Sequence, residues 1–131
     1  MVTRDIKNKI LPVIAVDTQL IESATTVAGN VIDLDGRESV AIVLVAGTVT
    51  AGDVKLLIQS SPDDVTYNDV YDVVLIGTEA DTLLTASNTV ATIGYKGNDR
   101  YIKVSLVTTG GTVDLTAGAL AVFGAGNIPL V

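Results

Sequence analysis

Carboxylates are the only side chains in this sequence that are numerous and closely spaced enough to suggest chemistry. Asp33, Asp35 and Glu38 form one group, and Asp63, Asp64, Asp69 and Asp72 form another. Oxygen-rich loops can bind Ca²⁺ through about six to eight ligands. The second group lacks the spacing and the glycine of an EF-hand, and aspartate is common in turns because it bonds to the local backbone. We interpret these aspartates as solvated turn residues, with a calcium site at the second group as the alternative.

The missing residue types restrict the chemistry further. The sequence contains no His and no Cys, which excludes the common nucleophile–base pairs and zinc sites of nitrogen and sulfur ligands. Paired carboxylates can hydrolyse glycosides, but sugar sites usually offer aromatic platforms, and this chain has four Tyr, one Phe and no Trp. We therefore expect no catalytic residues, no cofactor and no enzymatic activity.

The distribution of charge argues against two classes of partner. The net charge is −7. Residues 1–9 carry three basic and one acidic side chain, which leaves five basic and fourteen acidic for the rest. An acidic body repels phosphate, so nucleic-acid binding is disfavoured. The longest apolar run, residues 40–46, is seven residues long, whereas a bilayer span needs about 20, so we expect no membrane partner.

The pattern of apolar residues favours strands over helices. Apolar residues make up 48% of the chain and aromatic residues only 4%, so the core must be aliphatic and rich in β-branched side chains. We predict strands at residues 11–16, 27–34, 39–46, 54–60, 65–76, 113–115 and 119–123, and turns at residues 35–36, 47–53, 60–64 and 109–112. Residues 39–46 are apolar on both faces, as in a central strand. Residues 19–28 fit either a helical turn or an extended segment, and residues 77–88 are expected to form a surface loop.

These elements predict a single all-β domain over residues 1–131, an antiparallel β-sandwich with a jelly-roll-like arrangement. A basic N-terminal arm, residues 1–11, and a C-terminal tail, residues 124–131, would extend from it.

Residues 93–106 have the pattern of a β-hairpin, because two strand-like runs flank a cluster of turn formers. With a loop at residues 96–99, Tyr95 would face Arg100, and the ring of Tyr101 would cover Gly94. One face of this hairpin would be apolar; it comprises Ala91, Ile93, Ile102, Val104 and Leu106.

Several residues are candidates for contact with a partner. Tyr95 and Arg100 are of the types enriched in binding hot spots, or they form a cation–π pair that closes the rim of the core. Arg4, Lys7 and Lys9 belong either to a solvated end or to an arm that docks on an acidic partner. The apolar residues Ile128 and Leu130 in the tail favour docking, because exposed apolar ends suggest that something covers them.

Three blocks of sequence carry a resemblance to a known family. They are Asp35-Gly36-Arg37-Glu38-Ser39-Val40, then Gln59-Ser60-Ser61-Pro62-Asp63-Asp64 with Tyr67-Asn68-Asp69-Val70, then Ile93-Gly94-Tyr95-Lys96-Gly97-Asn98-Asp99-Arg100-Tyr101-Ile102-Lys103-Val104. Over about residues 30–125 the chain resembles the capsid decoration, or cement, proteins of tailed bacteriophages. The Tyr-x-Gly-x-x-Arg-Tyr pattern is the most specific part, and Val65 stands where a Gly is more usual.

The resemblance implies a β-sandwich that self-associates, often as a homotrimer, on the outer surface of an icosahedral shell. It would be made in the bacterial host cytoplasm, join the virion and bridge copies of the major capsid protein against internal DNA pressure. Two alternatives stay open. One is a tail or head–tail junction protein, and the other is a carbohydrate- or receptor-binding sandwich that uses Ca²⁺ at the second aspartate group.

Overall fold

The structure, a computed structural model, describes residues 10–34 and 40–124. Its strands are β1 (Ile10–Ile21), β2 (Thr26–Asp33), β3 (Val40–Ser61), β4 (Asn68–Asp69), β5 (Leu75–Ile76), β6 (Thr89–Tyr95) and β7 (Tyr101–Gly124). Two short 3₁₀ turns, Asp72–Val74 and Ala80–Thr82, lie between them. All the strand pairs are antiparallel. Within the described residues there is no helix long and apolar enough to cross a membrane.

Two long strands, β3 and β7, organise the whole sheet. They pair along their full length, from Val40 opposite Phe123 to Ser61 opposite Tyr101. The register shifts between Ala46 and Asp53, and here the pair bends so that the sheet folds onto itself.

The bend produces two layers. The first layer contains β1, residues 115–124 of β7, residues 40–46 of β3, then β6 and β5. The second contains β2, residues 101–109 of β7, residues 53–61 of β3, and β4. The antiparallel β-sandwich predicted from the sequence is therefore confirmed.

A single aliphatic core lies between the layers. Alternate residues of each long strand point into it, because side chains of a strand alternate between its two faces. The largest apolar side chains that are completely buried include Ile42, Leu44, Leu56, Ile58, Ile102, Leu106 and Leu115. Burying one such side chain contributes about 1.5–3 kcal/mol relative to exposure, so this cluster stabilises both layers together.

The predicted hairpin at residues 93–106 is wrong. Ile93 on β6 pairs with Ile42 in the first layer, whereas Ile102 on β7 pairs with Ser60 in the second. Residues 96–100 therefore cross from one layer to the other. Gly97 permits this path, because a Cβ there would lie 2.3 Å from the hydroxyl oxygen of Tyr95.

The composition of the predicted apolar hairpin face was nevertheless right. Ile93, Ile102, Val104 and Leu106 are all buried, and Ala91 is partly buried against them. Burial depends on the alternation of apolar and polar side chains within each strand, whereas pairing depends on which strand lies beside it in the tertiary fold.

The predicted turns at residues 47–53 and 109–112 are also wrong, because β3 and β7 run through them. Gly52 (φ 84°) and Gly110 (φ 135°) adopt positive φ values there, a conformation that glycine reaches without steric cost. Glycine bends these strands and does not end them.

Other local predictions have mixed outcomes. The turn at residues 60–64 is confirmed, since Ser61 Oγ accepts the N–H groups of Asp63 at 3.2 Å and Asp64 at 3.0 Å. Residues 19–28, left undecided, are extended apart from a turn between β1 and β2. The strand predicted over residues 65–76 is reduced to the two-residue strands β4 and β5.

The two ends of the described chain lie together. Ile10, the first residue of β1, pairs with Gly124, the last residue of β7. The predicted arm therefore loses residues 10–11 to a strand. Residues 1–9 and 125–131, and the turn predicted at residues 35–36, lie outside the described residues.

Candidate interaction surfaces

Three of the four aspartates considered as calcium ligands have hydrogen-bond partners within the chain. Asp63 Oδ1 accepts the N–H of Val65 at 3.0 Å, that of Thr66 at 3.2 Å and the hydroxyl of Ser61 at 2.9 Å. These hydrogen bonds, the one from Val65 above all, lower the pKa of the Asp63 carboxyl below its usual range. The geometry is that of a turn, as the first interpretation predicted.

The remaining members of the group are spread over different contacts. Asp64 accepts the hydroxyl of Tyr67, and Asp69 accepts the side-chain amide of Gln59 at 3.0 Å. The side chain of Asp72 lies outside the described part of the structure. Among the described residues no group of three acidic side chains is placed to hold a metal ion.

The outer face of the second layer mixes polar and apolar side chains and carries two cations stacked on tyrosine rings. The Arg100 guanidinium lies 5.1 Å from the ring centroid of Tyr101, and Lys103 Nζ lies 4.8 Å from that of Tyr67. Burial raises the pKa of Tyr67 to about 12, and its hydrogen bond to Asp64 adds to the effect. This face resembles an ordinary solvated surface with a few ordered polar contacts.

The two hot-spot candidates are separated by the fold. Tyr95 is only 4% exposed and belongs to the core, so its ring is not available to a partner. Arg100 remains accessible. Its Nε and Nη2 groups donate to the two carboxylate oxygens of Asp33, each at 2.9 Å, and its side chain is 51% exposed.

Five other candidates cannot be placed on a surface. Arg4, Lys7, Lys9, Ile128 and Leu130 lie outside the described residues. Their roles as contact residues therefore stay predictions.

The outer face of the first layer is apolar, which sequence reasoning missed. Outward residues on neighbouring strands meet in rows, with Val43 between Leu120 and Thr92, and Leu120 opposite Ile14. We call this surface the apolar face; it comprises Pro12, Ile14, Ala41, Val43, Val45, Ile76, Val90, Thr92, Gly94, Leu120 and Val122. None of these residues is ionisable, and only Thr92 has a polar side chain.

The apolar face is exposed to solvent at its margins and across its width. Ile76 is 64% exposed, Val90 60%, Ile14 51% and Val45 40%. The signal for it was present in residues 39–46, which were predicted to be apolar on both faces. One of those faces lies in the core and the other belongs to the apolar face.

Comparison with known proteins gives a likeness of fold. No family model and no curated protein matches the sequence. Among solved structures, the chain is similar to T=1 particles derived from infectious bursal disease virus, with a TM-score of 0.57 and 20% identity. It is also similar to the VP2 subviral particle of that virus, with a TM-score of 0.56 and 19% identity.

The similarity extends over most of this chain but over only a part of each viral chain. Each comparison covers 92% of this chain and 33% of the other, so the chain spans about a third of the length of its structural neighbours. The chain shares its fold with part of a viral capsid protein. At this level of identity, the likeness concerns the fold alone.

Proposed function

We propose that this chain is a non-enzymatic structural protein of a virion, a capsid decoration protein that binds the outer surface of a phage head and stabilises it. The observation that carries the proposal is the pairing of Ile10 with Gly124. It puts the first and last residues of the described chain next to each other at one end of the sandwich. This arrangement suits a protein that binds a partner through one end of its sandwich.

The two flanking segments have complementary chemistry. Residues 1–9, which precede Ile10, carry Arg4, Lys7 and Lys9. The segment after Gly124 ends in apolar residues that include Ile128 and Leu130. Because Ile10 and Gly124 are neighbours, we propose that both segments contact one partner surface, the basic residues meeting acidic groups and the apolar residues filling a groove. The partner we propose is the major capsid protein.

The rest of the molecule suits an outward position. Residues 10–131 carry five basic and fourteen acidic side chains, and such a surface is repelled by packaged DNA. The shared fold with part of a viral capsid protein supports a place in a virion, and the resemblance of the three sequence blocks implies the outer surface. We further propose that the protein self-associates as a homotrimer.

A reconstitution experiment tests this function. Heads that lack the protein are mixed with the full chain, with a chain lacking residues 1–9, or with a variant in which Arg4, Lys7 and Lys9 are all changed to Glu. Co-sedimentation measures binding, and calorimetry measures the melting temperature of the heads. Lys55→Glu, on the outer face of the second layer, is the matched charge control.

We expect the full chain and Lys55→Glu to bind and to raise the melting temperature, and both arm variants to bind more weakly. Saturated heads that melt at the same temperature as bare heads would contradict stabilisation. The number of copies per particle separates decoration from a tail or head–tail junction role. Decoration requires hundreds of copies, whereas a junction or tail part is present in a handful or in a multiple set by tail length.

A further inference from the structure

The apolar face is large enough to act as an interface. Its five strands lie about 4.8 Å apart, and outward residues recur about every 6.6 Å along each strand. These spacings give a patch of about 350 Å², within the range of about 300–600 Å² that is often functional on a monomer. Such a patch is about half of the roughly 800 Å² that each partner contributes to a standard interface, so surrounding residues must contribute too.

We propose that the apolar face is the self-association surface of this protein, and that it packs against the same face of a second copy. Aliphatic sheet faces bury one another when their side chains interdigitate. In the proposed homotrimer, the three apolar faces would turn toward the threefold axis, so that each contacts the same face of the other two copies. The proposal deepens the proposed function, because it names the surface through which the copies associate.

Charge is the reason for choosing a second copy as the occupant. With a net charge of −7, two copies repel one another at most orientations. The apolar face has no ionisable residue of its own. Two charged residues that flank it among the described residues, Asp17 and Lys96, have opposite signs and lie at opposite edges of the layer. Two copies can therefore approach through this face without bringing like charges together.

The outer face of the second layer is a poorer surface for this purpose. It presents Lys55 and Lys103, and burying these side chains would require each to find a charged partner on the other copy. The apolar face involves no such requirement. It also lies on a different side of the molecule from the polar contacts of Arg100 and Tyr67.

A pair of matched substitutions tests the proposal. Val45→Glu places a charge on the apolar face, and Val31→Glu places one on the outer face of the second layer. The two valines are 40% and 42% exposed, so neither substitution buries a carboxylate in the monomer. Sedimentation velocity of the full chain over a range of concentrations measures the mass relative to the 13.5 kDa monomer, and circular dichroism monitors folding.

We expect the wild type and Val31→Glu to associate alike, and Val45→Glu to raise the dissociation constant by about a hundredfold because it opposes like charges across the interface. A wild type that remains monomeric at every concentration would overturn the proposal. So would a folded Val45→Glu that associates as strongly as the wild type.

Cross-linking gives a readout that does not depend on weakening the interface. The chain has no Cys, so Val43→Cys introduces one thiol at the centre of the apolar face, and Leu57→Cys introduces one at an outward position of β3 in the second layer. A short bifunctional thiol reagent should join copies of Val43→Cys and leave Leu57→Cys uncoupled. The reverse pattern would place the interface on the other layer and overturn the proposal.

The same variants distinguish this inference from the proposed function. Head binding is measured in parallel by co-sedimentation. A monomeric Val45→Glu that still binds heads supports the self-association surface and leaves attachment through the flanking segments intact. A wild type that binds heads as a monomer overturns the inference and the proposed homotrimer but leaves the decoration role intact. An associated wild type that fails to bind or stabilise heads overturns the decoration role and leaves the inference intact.

Discussion

The hydroxyl oxygen of Thr82 accepts the backbone N–H of Leu56 at 3.0 Å. The Thr82 side chain thus supplies a hydrogen bond that the backbone of a neighbouring strand would otherwise make. β6 pairs with β3 only as far as Ala46. Beyond that point residues 79–84 cover the edge of β3, with Ile58 donating its N–H to Glu79 Oε2 at 2.5 Å. Val54 and Leu84 exchange backbone hydrogen bonds at 3.1 and 2.8 Å. The edge is therefore closed to pairing with another chain.

Replacing Thr82 by Val should lower the free energy of unfolding by about 1–3 kcal/mol. Thr82 is 1% exposed, and the substitution leaves the buried N–H of Leu56 without its acceptor. Urea denaturation measures the effect. Thr48→Val, at an exposed position of β3, is the control and should change stability by no more than about 0.5 kcal/mol. Equal effects of the two substitutions would show that the Thr82 hydroxyl contributes nothing specific.

Gly29→Ala should be among the most destabilising single substitutions in the chain. A Cβ at Gly29 would lie 2.2 Å from the carbonyl oxygen of Val104 and 2.4 Å from that of Ala15. Both atoms belong to strand backbones that cannot move without disturbing their pairing. We expect a loss of at least about 3 kcal/mol, comparable to severe core overpacking, measured by thermal or urea unfolding.

Gly111→Ala is the matched control for Gly29→Ala. A Cβ at Gly111 would meet nothing within 4 Å. Reduced freedom of the unfolded chain should then stabilise the protein by about 0.4–1 kcal/mol. A Gly29→Ala protein as stable as Gly111→Ala would mean that β1 and β2 do not approach each other as closely as described.

Alkaline pH should destabilise the protein through Tyr67. Its pKa is raised from 10.0 to about 12 in the folded state, first by burial and then by the hydrogen bond to Asp64. The raised value favours the protonated phenol, so its contribution to stability is complete below pH 10.0 and is lost as the pH rises toward about 12. Tyrosinate absorbance and urea unfolding across this range measure both effects.

Tyr67→Phe should remove the tyrosinate absorbance that appears as the pH approaches about 12 and reduce the loss of stability over that range. Tyr71→Phe, at a side chain that is 81% exposed, is the control and should leave the high-pH step in place. Persistence of that step in Tyr67→Phe would contradict the assignment.

Acid should destabilise the protein in part through Asp63. The N–H groups of Val65 and Thr66 and the hydroxyl of Ser61 hold its folded pKa below 3.8. A lowered pKa contributes stability at pH values above 3.8, and the contribution is lost as the pH falls through the folded value. Asp63→Asn should therefore be less stable near neutral pH and show a shallower acid dependence. A wild-type slope in Asp63→Asn would rule out the turn as its source.

The fold class was predictable because alternation is a local property. Ile102, Val104 and Leu106 recur at every second residue, and all three are buried. The turn after Ser61 was predictable for the same reason, since Pro62 and Asp63 act on the backbone beside them. Such patterns operate within a few residues and need no information about partners.

Strand pairing was not predictable because a hairpin loop and a layer crossing use the same residues. The sequence Lys96-Gly97-Asn98-Asp99 suits either connection. The choice depends on β3, which takes β6 as its neighbour through residues 40–46 and β7 along its whole length. Likewise Gly52 and Gly110 indicate a change of direction, and only the tertiary fold decides whether the strand continues.

The candidate surfaces were the least predictable feature. The apolar pattern of residues 39–46 suits a strand covered on both faces, but the outer face is partly exposed, with Val45 40% exposed. Conversely, Tyr95 is of a residue type that is common in interfaces, but it packs in the core. The residue type alone does not determine exposure.

The sharing of β3 and β7 between both layers has a mechanical consequence. A pull applied to one layer is transmitted along unbroken polypeptide into the other, because each of these strands runs through the bend. The layers cannot slide past each other without breaking the backbone hydrogen bonds between Val40–Ser61 and Tyr101–Gly124. Under load the molecule should therefore yield in a single step, as one unit.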